Sequence, residues 1–124
     1  MKIYKALEQI KNLKPSQYSD EQLVGWLSAL DGQIYNDLLK AYGVPAPELP
    51  YDTHMMGREL LVPAPDDEVY LSYLMAKIDL HNAEYERYNN NMMLFNAQLQ
   101  AYYSAYTRTH LRTNAPVVKG VKAI

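Results

Sequence analysis

The sequence predicts an all-α fold, and three observations carry that reading. Leu71, Ile78, Tyr85, Met92, Leu99 and Tyr106 recur every seven residues. Three residues after each stand Leu74, His81, Tyr88, Phe95, Tyr102 and Thr109, so the two series form one largely apolar stripe at helical spacing. Upstream, Leu23, Leu27, Leu30, Ile34, Leu38 and Ala41 make a second such stripe. Between the two, Gly43–Pro65 holds five of the seven prolines and two of the five glycines, which interrupts regular structure. The predicted order is a short N-terminal helix, a helix over about 20–42, a Pro-rich crossover loop, one long helix over about 66–109 and a flexible C-terminal tail. Residues 1–110 read as a single helical domain and 111–124 as the tail.

Each element has its own signals. Ile3, Leu7, Ile10 and Leu13 share one face of the first helix, and Lys14-Pro15 ends it because a residue before proline avoids the helical region. Ser19 is placed to cap the second helix, Gln22 completes a capping box, and Asp20 and Glu21 suit the positive end of the helix dipole. Gly43 sits where a left-handed C-terminal residue belongs. The crossover has room for one short extended piece, Glu59 to Val62. Asp66-Asp67-Glu68 opens the long helix, with Asp66 read as its cap and the other acids facing the dipole. No proline or glycine follows until Pro116. Asn89-Asn90-Asn91 offers a place for a hairpin turn. The seven-residue phase holds from Tyr85 to Met92, however, so one uninterrupted helix about 65 Å long is preferred.

Composition narrows the function classes. A chain of 124 residues suits one domain. A net charge of −2 argues against a grip on nucleic acid driven by phosphate neutralisation. The absence of cysteine removes disulfide scaffolds, thiol catalysis and cysteine zinc sites. No signal peptide is apparent at Met1-Lys2-Ile3-Tyr4, and no stretch approaches the apolar length of a membrane span. The protein is expected to be soluble, with no membrane association. Twelve tyrosines stand against one phenylalanine and one tryptophan; an apolar ring with a polar tip suits subunit contacts as well as a half-wet core.

Catalytic and metal-binding patterns are missing. His54, His81 and His110 lie in three different settings, and none neighbours a nucleophile motif. His81 and Glu84 form H-x-x-E, a spacing used in di-metal helical bundles, but those sites need a second copy of the motif and further inward glutamates. No phosphate-cradling glycine loop and no G-x-S-x-G elbow occurs. The reading is therefore of a protein that is not an enzyme, with no cofactor and no metal.

What the pattern does contain is surplus apolar surface. A second helix of about 23 residues covers roughly half of a 44-residue partner. The remainder, centred on Met92, Met93, Phe95, Leu99, Tyr102, Tyr103 and Tyr106, is predicted to be exposed in a monomer and to serve as a subunit interface. Asn82, Asn89 and Asn96 recur beside the stripe at seven-residue spacing, where asparagine can fix register between helices. A generic helical binding module that presents the same stripe to a partner is the alternative reading.

Several strings also carry a resemblance: L-L-V-P-A-P-D-D-E (Leu60 to Glu68), Y-E-R-Y-N-N-N (Tyr85 to Asn91), Phe95-Asn96, Y-T-R-T-H (Tyr106 to His110) and W-L-S-A-L-D-G-Q-I-Y (Trp26 to Tyr35). Together, over most of Leu7 to His110, the chain resembles the head–tail connector (adaptor) proteins encoded in the structural modules of tailed bacteriophages and prophages. That resemblance implies a mostly helical subunit, made in the host bacterial cytoplasm and located at the head–tail junction of the virion. It implies a closed homo-oligomeric ring beneath the portal protein, with a tail-completion protein docked on the ring and DNA passing through the channel without specific binding. Subunits of such a ring meet through unlike surfaces. It further implies a portal-contacting role for the C-terminal tail, including Val117, Val118, Lys119 and Lys122.

Overall fold

The computed structural model describes residues 1–111. Among them the chain forms four α-helices and no strand: α1 (Ile3–Leu13), α2 (Asp20–Asp37), α3 (Val69–His81) and α4 (Tyr85–Thr109). The all-α class with a long final helix stands. The apolar face of α1 buries Ile3, Ala6, Leu7 and Ile10, and the helix stops where Lys14 turns out of helical geometry ahead of Pro15. The capping box of α2 forms as its sequence dictates. Ser19 Oγ accepts from the Gln22 amide at 3.2 Å, and Gln22 Oε1 accepts from the Ser19 amide at 3.3 Å. Leu23, Leu27, Leu30 and Ile34 then face the core. Beyond Asp37 the chain tightens into a 3-10 turn, Leu39–Tyr42, and Gly43 ends it with φ 75°, a value that carries no penalty only in glycine.

The crossover is strapped down along its length. Its one helical feature is a 3-10 turn at Thr53–Met55. The extended piece expected near Glu59 pairs with the start of α1: Glu59 bridges Lys2, the Ile3 amide donates to Arg58 O at 3.0 Å, and the Leu60 amide donates to Met1 O at 2.9 Å. Tyr51, Leu60 and Val62 from this segment are buried in the core.

The expected helix over 66–109 is corrected in two places. Asp66–Glu68 forms a separate 3-10 turn, and α3 starts at Val69 without a side-chain cap, so Asp66 does not cap the helix. The larger correction is a break at Asn82–Glu84. There the Glu84 amide donates to Asp79 O at 2.9 Å and the Ala83 amide to Leu80 O at 3.1 Å. These are the two bonds of a Schellman termination, and Ala83 occupies its left-handed position with φ 60°. The chain reverses, and α4 runs back antiparallel along α3. Ser72 Oγ meets Gln98 Oε1 at 2.7 Å, and Asn91 Nδ2 donates to Asp79 Oδ2 at 2.6 Å. The Asn89–Asn91 run lies inside α4.

The reversal leaves the seven-residue phase almost intact. The inward stripe of α4 is Tyr88, Met92, Phe95, Leu99, Tyr102 and Tyr106, all of it on the predicted series, while Tyr85 is 62% exposed. A three-residue connection has restored the phase by its length. Folding back removes from water an apolar stripe that a lone 65 Å helix would leave wet. It also makes α3 the central helix, packed against α1, α2 and α4 and buried at Val69, Tyr70, Leu71, Leu74, Ala76 and Ile78.

The left-handed alanine generates a prediction. Ala83→Gly removes the Cβ clash at the turn and is expected to stabilise the protein by about 1 kcal/mol. A urea midpoint that falls in this variant would contradict the Schellman geometry.

Candidate interaction surface

The crossover and helices are held in register by a buried polar hub. Asp31 replaces an apolar residue in the middle of the α2 stripe and is completely buried. Its Oδ2 accepts from the Tyr51 hydroxyl at 2.7 Å and from the Leu61 amide at 3.0 Å, and its Oδ1 accepts from the Tyr70 hydroxyl at 2.5 Å. The Tyr70 hydroxyl in turn accepts from the Val62 amide at 2.8 Å, and Ser28 Oγ accepts from the Tyr51 amide at 2.9 Å. One carboxylate thus joins α2, α3 and two points on the crossover. Burial pushes the Asp31 carboxyl above its usual range, opposed by the bonds from Tyr70, Tyr51 and Leu61. Burial also pushes the Tyr51 and Tyr70 hydroxyls up, and the neighbouring Asp31 charge adds to the shift.

A second cluster fixes the hairpin turn. Asp79, fully buried on α3, lies 2.7 Å from Lys14 Nζ, and Glu84 lies 3.2 Å from the same ammonium. The Asp79 contact holds the Lys14 ammonium above the usual lysine range despite its partial burial. His81 and Glu84, the H-x-x-E pair, take part in this turn. The His81 ring sits 5.0 Å from Trp26 and its Nδ1 contacts Lys77 O at 2.9 Å, while Glu84 also pairs with Arg87 at 3.7 Å. Asn82 accepts the Tyr18 hydroxyl at 2.8 Å. These side chains are engaged in closing the turn, and among the described residues no group of three or more His, Asp or Glu is arranged to hold a metal.

At the opposite end of α4 the hub leaves a cleft of about 340 Å³. Leu39 and Val44, Leu61 and Pro63 of the crossover, and Tyr102 and Tyr106 of α4 line it, together with Asp66, Thr109 and His110. Tyr106 and His110 stack at 3.7 Å, with Tyr42 edge-on to Tyr106 at 5.0 Å. Burial raises the Tyr102 and Tyr103 hydroxyls to about 12.

The expected interface residues are redistributed by the hairpin. Phe95, Leu99 and Tyr102 are buried within the chain, and Met92, Tyr103 and Tyr106 are half-covered against the same core. They are not a surplus stripe, because α3 covers the N-terminal part of the set and Tyr42, Leu39 and the crossover face Tyr102 and Tyr106. Met93 differs: it is 72% exposed, and its neighbour Leu94, absent from the sequence reading, is 50% exposed. Both lie on the face of α4 opposite the core stripe. From Tyr88 to Thr107 the helix carries no charged residue on any face. Following the apolar periodicity led to the inward face, whereas the signal for the outward one is a missing class of residue. Val117, Val118, Lys119 and Lys122 lie outside the described residues.

No helix among the described residues is long and apolar enough to cross a membrane. No protein-family model matches the chain, and comparison with curated proteins and with solved structures gives no match.

The hub generates a pH prediction. The raised folded-state value of Asp31 means the folded protein holds that proton more tightly than the unfolded chain. Its contribution is therefore present below about pH 4 and lost as pH rises to the folded value. The raised tyrosines act the same way at the other end: the unfolded chain ionises first, so stability falls as pH rises past about 10. Tyr70→Phe strands the Val62 amide and one Asp31 oxygen, and is expected to lose about 2–4 kcal/mol at pH 7. It should also flatten the alkaline loss between pH 9 and 11. Urea unfolding at those pH values reads both, and an unchanged pH 7 midpoint would contradict the hub.

Proposed function

We propose that this protein acts by assembly rather than catalysis, as a head–tail connector (adaptor) subunit of a tailed bacteriophage or prophage. In this reading copies form a ring beneath the portal protein at the head–tail junction of the virion. The ring bridges the portal to a tail-completion protein and lets DNA through its channel without specific binding. The observation that carries the assembly reading is the outward face of α4, uncharged over twenty residues and bearing exposed Met93 and Leu94. A helix that met only water would ordinarily carry charge there. The finer, viral identity is supported by the resemblance of Leu60–Glu68, Tyr85–Asn91, Trp26–Tyr35 and Tyr106–His110 to connector sequences. The net charge of −2 suits a channel that passes DNA without gripping it.

The direct test is light scattering of the chain mixed with a cognate portal protein over a wide concentration range. A discrete high-order species containing several copies per portal ring is expected. Failure to bind portal at any concentration would overturn the connector reading.

Two substitutions separate surface from core. Leu99→Asp places an unpaired charge in the α3–α4 hairpin and is expected to unfold the subunit, at a cost of several kcal/mol. Met93→Asp is expected to leave the melting temperature within a few degrees of wild type while reducing assembly. If Leu99→Asp melts normally, the hairpin core is wrong.

A further inference from the structure

We propose that the free subunit forms a symmetric antiparallel dimer through the outward face of α4, with Ala97 of each copy at the crossing point. The occupant of the face is a second copy of this chain, and the argument is the arrangement of charge and size along the helix. Glu86 and Arg108 stand eleven residues to either side of Ala97. Eleven residues are close to three helical turns, so all three share one face. Among the described residues neither Glu86 nor Arg108 has an ion-pair partner, unlike Glu84, Arg87 and Lys14 nearby.

Antiparallel pairing about Ala97 sets each Glu86 against Arg108 of the other copy and closes both ends with opposite charges. Parallel pairing would set Glu86 against Glu86 and Arg108 against Arg108. The same two-fold relation places Met93, 72% exposed, opposite Ala101 of the second copy, a large side chain against a small one. Small residues at the crossing let the helix axes approach to roughly 8 Å. Because no charge lies between Tyr88 and Thr107, joining the faces strips water from no ion in the centre. The contact uses the same patch on both copies, so it closes at two and does not extend into a ring. It is a state of the free subunit: the ring contact proposed above uses the same face of α4, so the dimer opens before a ring forms, and the dimer is tested independently of the connector reading.

The sequence contains no cysteine, so single substitutions give clean cross-links. In the full chain, Ala97→Cys is expected to form a disulfide-linked dimer under mild oxidation. Asn90→Cys mixed with Ser104→Cys should cross-link several-fold more than either alone, since those positions lie seven residues to either side of Ala97. Sedimentation equilibrium should give a dimer for the unmodified chain and a monomer for Ala97→Glu, with unchanged circular dichroism. Glu86→Arg should weaken the dimer by roughly tenfold, and Glu86→Arg combined with Arg108→Glu should restore it. A strict monomer at high concentration, efficient linkage of Asn90→Cys to itself, or a dimer indifferent to Ala97→Glu would each overturn the proposal. Portal binding is scored separately, so loss of the dimer and loss of the connector reading are distinguishable.

Discussion

The fold depends on one buried carboxylate. Asp31 would be among the costliest residues in the core if left alone, since an ionised group out of water loses its hydration. It is accommodated because two tyrosine hydroxyls and one main-chain amide converge on it. Those donors come from α3 and from the irregular crossover, so satisfying one charge fixes a stretch of chain that has almost no regular structure. Beyond the hub, the segment from Val44 to Pro65 is held by its buried apolar side chains and by its pairing with the start of α1, through the Ile3, Tyr4 and Leu60 amides and the Met1–Glu59 ion pair. Two of the chain's tyrosines, Tyr51 and Tyr70, acquire a role here that their rings alone do not explain.

The hairpin rests on a similar arrangement at the other end of α3. Asp79 faces Lys14 and Asn91, which ties the end of α1 and the second turn of α4 to one buried side chain. The Schellman termination at Ala83 tolerates a left-handed alanine because the two backbone bonds and this cluster together fix the reversal. The result is a central helix wrapped by its neighbours, with the last helix covering it on one side and facing outward on the other.

That outward side carries the proposed assembly. Six of the seven residues expected at an interface, all but Met93, already pack against the core of the chain. What α4 presents instead is a neutral surface with two bulky side chains, Met93 and Leu94, small residues at Ala97 and Ala101 beyond them, and opposite charges at its ends. Such a face is better suited to another protein surface than to water, and its symmetry about Ala97 suits a copy of itself.

By itself the sequence determined the all-α class, α1, the start of α2 with its capping box, the irregular crossover and the apolar stripe of α4, whereas α2 ends at Asp37 and Gly43 terminates the 3-10 turn that follows it. The features so determined follow from local periodicity and capping chemistry, which act over a few residues. Only the tertiary structure decided that the stripe folds back at Asn82–Glu84. No glycine marks that turn, and a three-residue connection nearly restores the heptad phase, so local pattern could not separate one helix from two. The Asp31 hub was equally hidden. Its donors lie 20 to 39 residues away along the chain, and only folding brings them to a carboxylate that local patterning places against the core. The outward face of α4 became visible as a surface once the opposite face had been assigned to the core.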